Sequence, residues 1–141
     1  MTVDMTLIGR SPDHPGRFKS NWPGMRRLMR RMAVTGMLIT DAAEPPAGAS
    51  IVELSRMPPE ERKVAGAWLS YHPEGFAGIP WWKLDSNDYW HVTSEECRQA
   101  LEAWELSGMP PDEADPWFDE WWADWLRFIE AGAAVDGFYV S

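Results

Sequence analysis

Tryptophan and phenylalanine residues repeat at helical spacing near the C-terminal end of the chain, and this pattern constrains the fold most strongly. Trp117, Trp121 and Trp125 follow one another at intervals of four residues. A second row lies beside the first and consists of Phe118, Trp122, Leu126 and Ile129. Because the two rows form an apolar arc much wider than a narrow seam, other elements must cover most of such a helix. The pattern predicts a central core helix rather than an aromatic recognition surface.

The ends of this helix and its solvent-exposed side can also be predicted. Asp115 is a favourable N-cap residue, and Pro116 suits the first helical position, where its missing N–H is not needed. The helix should continue to about Gly132. Its solvent-exposed face carries the carboxylates of Asp119, Glu120 and Asp124. These carboxylates either form a surface for a protein partner, because complementary charge orients the encounter with a basic surface, or only keep an aromatic-rich protein in solution.

Three further helices are predicted from capping residues and apolar periodicity. They cover residues 21–36, 57–72 and 93–108. Two aromatic-rich runs flank a polar turn and predict a β-hairpin, with its strands at residues 79–84 and 89–92. Short strands are predicted at residues 37–40 and 137–140.

The opening residues 1–20 contain a turn-rich stretch at 11–16 and are predicted to form an irregular N-terminal arm. Residues 1–141 are long enough for one domain with its own core. The predicted fold class is therefore α+β, a single small domain with about four helices packed on a small antiparallel sheet or hairpin.

Composition limits the cellular setting of the protein. The single cysteine, Cys97, excludes an intramolecular disulfide framework and a multi-cysteine zinc site. No apolar run approaches the roughly 20 residues that span a bilayer, and the N-terminus lacks the pattern of a signal peptide. We expect a cytoplasmic protein without membrane contact, and its oligomeric state is left open.

The net charge of −9 conceals a strong polarity along the chain. Residues 1–35 contain seven basic and two acidic residues, whereas residues 95–141 contain two basic and twelve acidic residues. The basic residues include a cluster in the first helix, made of Arg26, Arg27, Arg30 and Arg31. This cluster could contact phosphate, but the acidic last helix is an obvious partner for it within the molecule. We therefore expect a face that is solvated or paired within the molecule, and we do not expect nucleic acid as a partner.

Polar and aromatic residues of the predicted hairpin form the candidate binding site. They are Trp81, Trp82, Asp85, Asn87, Asp88, Trp90 and His91. In a pocket between the hairpin and the helices, these residues would supply polar and stacking groups for a ligand. The turn lacks the glycine and distal glutamate of a calcium loop, so side-chain bonds to the turn backbone explain its composition.

Patterns that would predict catalysis or metal binding are weak. His72 and His91 lack the close helical spacing common in zinc sites, and they could share a metal only if the hairpin folds back on the second helix. Cys97 with His91 could form a nucleophile and base. However, Cys97 lies on one helical stripe with Trp104, which favours a buried small hydrophobe. We predict no catalytic residue, no metal and no cofactor.

Two blocks of the sequence carry a resemblance to a known group. The first contains residues 18–25, Met32 and Gly36-Met37. The second contains Gly78-Ile79-Pro80, Lys83-Leu84, Ser86-Asn87-Asp88, Trp90, Val92-Thr93 and Glu96-Cys97. These blocks resemble small uncharacterised proteins of actinobacteria and their phages, in which the turn reads Ser-Asn-Asp-Gly-Trp. Here Tyr89 replaces the glycine, so a role that needs a bare backbone at the turn does not transfer. The resemblance implies an accessory or host–phage interaction role and no known activity.

The prediction for function is a non-enzymatic, acidic and aromatic-rich protein-interaction module. The alternative is a small enzyme or ligand-binding protein whose pocket lies at the hairpin of residues 79–92. Burial of the hairpin tryptophans would argue against the alternative, and a pocket beside them would favour it.

Overall fold

The computed structural model describes residues 2–44, 51–86, 89–110 and 115–141, without the side chains of residues 51, 52, 64–66 and 68. These described residues form six helices and two sheets. The strands are β1 Thr2–Leu7, β2 Arg17–Asn21, β3 Leu38–Ile39, β4 Ile79–Pro80, β5 His91–Val92 and β6 Phe138–Val140. The helices are α1 Trp22–Val34, α2 Ile51–Arg56, α3 Pro59–Ala65, α4 Trp81–Leu84, α5 Ser94–Ser107 and α6 Pro116–Ala134, and a 3-10 helix, Gly66–Ser70, follows α3. The predicted α+β class is confirmed.

The larger sheet is antiparallel and is built around the N-terminal strand. Its strands lie in the order β2-β1-β6-β5, and Met5 of β1 is opposite both Phe18 and Val140. Val3, Met5 and Leu7 are buried and alternate with more exposed residues, which is the period of a half-buried strand. The prediction of an irregular arm over residues 1–20 is therefore wrong, except for the loop between β1 and β2. The prolines and glycines of that loop obscured the alternation on either side.

The predicted hairpin of residues 79–92 is also wrong. Strand β4 pairs in parallel with β3, with Ile79 opposite Leu38. Strand β5 pairs instead with β6, with Val92 opposite Phe138. Pro80 has no N–H to donate to a neighbouring strand, and the chain turns directly into α4 after it. Each run thus finds a partner far away in sequence, which a local pattern does not reveal.

Helix α6 is the predicted core helix over most of its length. Asp115 caps it, because one carboxylate oxygen accepts a hydrogen bond from the Phe118 N–H at 3.1 Å. Its buried residues are Phe118, Trp122, Trp125, Phe128, Ile129, Ala131 and Gly132. The first turn differs, since the side chain of Trp117 is 66% exposed and Trp121 is half-buried. The row that begins at Trp117 therefore enters the core only at Trp125.

Some of the buried tryptophans lack a hydrogen-bond partner for the indole N–H within the described part of the chain. The Nε1 atoms of Trp82, Trp122 and Trp125 have no hydrogen-bond partner among the described residues. Each unsatisfied donor costs about 1–3 kcal/mol, so these rings stabilise the fold through their apolar area.

Local capping signals explain the starts of α1 and α5. Asn21 accepts a hydrogen bond from the Gly24 N–H at 2.8 Å. Thr93 and Glu96 form the predicted capping box, in which each side chain accepts from the backbone N–H of the other. Among the described residues, no helix combines the length and the apolar character needed to cross a membrane.

Candidate functional site

The tryptophans of the predicted binding site are largely inside the protein. Trp82 and Trp90 are buried, and Trp81 is half-buried. Trp82 lies edge-on to both neighbours, with ring centroids 6.3 Å from Trp81 and 6.4 Å from Trp90. Together with Ile39 and Ala42 they form a second small core. These rings are packed against one another and do not form an open stacking platform.

The polar members of that predicted site are not brought together in the described part of the chain. Asp85 is exposed. His91 has its Nε2 2.7 Å from the carbonyl oxygen of Asp136, and its ring lies against Tyr139. Asn87 and Asp88 lie outside the described residues. The groups that can be placed thus have separate structural roles.

Cys97 lies inside the hydrophobic core. Its side chain is fully buried. Removal from water and the nearby carboxylate of Glu96 raise the pKa of the Cys97 thiol strongly. The Sγ atom also faces Gly132, where an added Cβ would lie 3.0 Å away. The predicted role as a small hydrophobe fits this environment.

A buried ion pair is the polar feature that sequence reasoning missed. Lys83 and Glu96 have side chains 0% and 1% exposed, and the Lys83 Nζ donates to Glu96 Oε1 at 2.8 Å. A second Nζ hydrogen bond goes to the carbonyl oxygen of His91 at 2.7 Å. Glu96 Oε1 also accepts from the Thr93 N–H. Burial lowers the pKa of Lys83 from its usual value, while the charge and hydrogen bond of Glu96 oppose this effect.

His72 extends this network toward the surface. Its Nδ1 lies 2.7 Å from Glu96 Oε2, and its Nε2 lies 2.7 Å from the carbonyl oxygen of Phe76. Because a neutral imidazole has only one N–H, both contacts are hydrogen bonds only when the ring carries two protons or the Glu96 carboxyl carries one. The network joins the 3-10 helix exit, α4 and α5. Several of its residues belong to the second block of the sequence resemblance, so that block encodes internal structure.

Metal binding has no support from the described side chains. No group of three or more histidine, cysteine, aspartate and glutamate residues is placed to hold an ion within the described ranges. His72 is committed to Glu96 and Phe76, and His91 is committed to Asp136.

The predicted acidic partner surface is partly engaged in ion pairs within the molecule. Asp119 lies 3.1 Å from Arg31 Nη1. Asp124 pairs with Arg127 one helical turn later. Glu120 is exposed. The three carboxylates therefore do not form a uniformly free anionic face.

The arginine cluster of α1 is paired with α6, as predicted, at two of its four members. Arg27 lies 2.6 Å from Asp115, and Arg31 pairs with Asp119. The Arg27 guanidinium also lies 4.0 Å from the centre of the Phe118 ring, which is a favourable cation–π distance. The hydrogen bond from Arg27 lowers the pKa of Asp115, as do the hydrogen bond from the Phe118 N–H and, to a smaller extent, the Arg27 charge. Arg26 and Arg30 remain exposed.

A series of three rings leads from the core to the surface beside this cluster. Phe18 is 8% exposed, Trp121 is half-buried and Trp117 is 66% exposed. Trp121 stacks on both of the others, with centroid distances of 5.9 Å to Phe18 and 5.8 Å to Trp117 and an interplanar angle of 23° in each case. Gly24 holds Trp121 in place by close approach, since a Cβ there would lie 2.6 Å from the ring. Trp117 thus stacks on a half-buried ring that itself stacks on the buried Phe18, while most of the Trp117 surface faces solvent.

Three shallow depressions adjoin one another around these rings. The middle one, about 420 Å³, is lined by Lys19, Arg27, Trp117 and Trp121 among others. Arg27 also lines a neighbour of about 470 Å³, together with Arg30, Arg31 and Phe118. Lys19 and Trp121 line the other neighbour, also about 470 Å³. We call this continuous surface the Trp117 trough.

Comparison with known proteins found no relative of this chain. No family model matches the chain, and no curated protein or solved structure is significantly similar to it. The candidate site therefore rests on the contacts, burial and charges described above.

Proposed function

We propose that the protein is a non-enzymatic interaction module that binds a protein partner through the Trp117 trough. The observation that carries this proposal is the two-thirds exposed ring of Trp117 on the preformed support of Trp121 and Phe18. Tryptophan is among the residue types that are enriched at the positions carrying most of the binding energy in protein interfaces. The support reduces the conformational entropy that the ring loses when a partner covers it.

The alternative of an enzyme or ligand pocket at residues 79–92 has weaker support. The aromatic rings proposed for it contact each other inside the second core. Among the described residues, the lining of the trough includes none from that segment. A cytoplasmic accessory or host–phage interaction role remains part of the proposal, and the sequence resemblance supports it.

Site-specific photo-crosslinking tests the proposed surface. A photoreactive phenylalanine analogue replaces Trp117 in one variant and Leu106, which is 88% exposed on α5, in the control variant. We expect a discrete crosslinked partner at position 117 that is absent at position 106. The identified partner should then bind purified Trp117→Ala at least tenfold more weakly than the unaltered protein, as for an interface anchor. Identical adducts at both positions, or an affinity unchanged by Trp117→Ala, would overturn the proposal.

A further inference from the structure

The lining of the Trp117 trough has a charge opposite to that of the whole protein. The chain carries a net charge of −9. The first two depressions are lined by four cationic side chains and by no carboxylate among the described residues; the cations are Lys19, Arg27, Arg30 and Arg31. Carboxylates enter the lining only in the third depression, as Asp13 and Asp124. Basic side chains therefore outnumber carboxylates in the described lining of the trough.

The cations of the trough differ in how far they are neutralised. Arg27 and Arg31 have direct partners in Asp115 and Asp119. Lys19 is 62% exposed and has only a long contact of 3.7 Å with Asp4. Arg30 is exposed, and no ion pair with it occurs among the described residues. Within the first two depressions, Lys19 and Arg30 are thus the positions at which a ligand can still gain charge-assisted hydrogen bonds. Arg17, in the third depression, has a similarly long contact of 3.6 Å with Asp4.

We infer that the trough accepts a short acidic segment of a partner protein, with an apolar or aromatic side chain of that segment against Trp117. The inference rests on the proposed function and specifies the chemistry of the partner. Lys19 and Arg30 would contact carboxylates of the segment on either side of the side chain that packs on Trp117. Arg27 lies between them, because it lines both the depression that contains Lys19 and the one that contains Arg30. The ring supplies contact area, and the cations fix the register.

The acidic remainder of the protein makes this recognition selective. A basic segment finds carboxylates over much of the surface, whereas an acidic segment is repelled except at the trough. A long polyanion such as single-stranded nucleic acid fits less well, because its affinity requires several phosphates to be neutralised in succession. Asp4, Asp115 and Asp119 already lie within 4 Å of Lys19, Arg27 and Arg31, respectively, which limits the trough to a few anionic contacts.

Fluorescence anisotropy with labelled probes tests the inference on the full chain. The probes are a twelve-residue peptide that alternates Asp and Glu around a central Phe, the same peptide with Lys in place of each acid, and a twelve-nucleotide oligothymidylate. We expect micromolar binding of the acidic peptide and at least tenfold weaker binding of the other two. Lys19→Glu and Arg30→Glu should each weaken the acidic peptide at least tenfold, and the affinity should fall with added salt. Lys63→Glu, at an exposed position on α3 outside the trough, is the matched control and should change it less than twofold.

Each contrary result has a distinct meaning. Tighter binding of the lysine peptide, or equal weakening by Lys63→Glu, would overturn the acidic specificity even if photo-crosslinking at position 117 succeeds. Tighter binding of oligothymidylate would assign the trough to nucleic acid. Self-association in sedimentation velocity that Arg30→Glu abolishes would assign it to a second copy of this chain. Absence of peptide binding, with a crosslinked partner still dependent on Trp117, would refute the acidic segment and leave the proposed function standing.

Discussion

The network around Glu96 and the Trp117 trough place polar and apolar groups in opposite ways. Lys83 and Glu96 are charged and almost completely buried, whereas Trp117 is large, apolar and mostly exposed. In the network, the polar side chains bond to one another and to backbone carbonyl groups, and they join three elements of the fold. In the trough, the stacked rings end at an open surface. The difference separates a structural centre from the surface that we propose for partner binding, although the residue types alone would suggest the reverse.

The largest effect should follow from removing the carboxylate at the centre of the buried network. Glu96→Ala leaves the Lys83 ammonium without its ionic partner and also removes the capping box of α5. An uncompensated buried charge costs about 3–5 kcal/mol. We expect a loss of this size in the free energy of unfolding, measured by urea denaturation with circular dichroism.

Two variants sharpen this result. Glu95→Ala removes the neighbouring carboxylate, which is 61% exposed and paired with Arg98, and should cost about 0–1 kcal/mol. Lys83→Met combined with Glu96→Leu removes both charges and should recover part of the stability lost in Glu96→Ala. Equal losses for Glu95→Ala and Glu96→Ala would contradict the burial of the pair.

A smaller loss is expected where the ring series meets α1. Alanine at position 24 would place its Cβ 2.6 Å from the Trp121 ring and 2.9 Å from the Asn21 side chain. Overpacking of this kind costs about 1–3 kcal/mol, and the better helix propensity of alanine offsets about 0.5–1 kcal/mol of it. Urea denaturation of Gly24→Ala checks the loss. In a Trp121→Phe background the smaller ring should reduce the cost, and the same cost in both backgrounds would mean that Trp121 does not rest on Gly24.

The elements with strong local signals could be predicted from the sequence. The caps at Asn21, Thr93 and Asp115 are all present, because capping depends on residues within one turn of each other. Strand pairing could not be predicted in the same way. The partner of β5 is β6, which follows nearly fifty residues later, and nothing local distinguishes it from the nearer run that suggested a hairpin.

The buried network and the Trp117 trough depend even more on contacts between residues that are distant in the sequence. Lys83 follows two tryptophans and has no sequence feature that predicts its burial, since lysine is usually exposed. Its burial results from the distant Glu96 and from the His91 carbonyl. The exposure of Trp117 was equally hidden, because helical periodicity assigns it to the same row as Trp125. Only the tertiary structure shows that Trp125 is completely buried, whereas most of the Trp117 side chain is exposed.

Alkaline pH should reveal the desolvation of Lys83 as a modest change in stability. Burial lowers the pKa of Lys83 below its usual 10.5, so the unfolded chain binds more protons than the folded protein between these two values. The free energy of unfolding therefore gains a contribution that rises with pH in this window. Lys83→Met lacks this contribution. The free energy of unfolding of the unaltered protein should therefore rise relative to that of Lys83→Met as pH approaches 10.5. Urea denaturation at pH 7 to 10.5 measures the difference, and a constant value would contradict the lowered pKa.

The smallest effect on stability is expected for Trp117→Ala. Since the ring is 66% exposed, its loss should change the free energy of unfolding by less than about 0.5 kcal/mol, as for other surface positions. Leu106→Ala, at a more exposed side chain on α5, is the control and should behave alike in urea denaturation. The two variants should differ only in partner binding, where Trp117→Ala alone is impaired. A loss of several kcal/mol for Trp117→Ala would show that the ring belongs to the core, and the contrast between the two regions would then disappear.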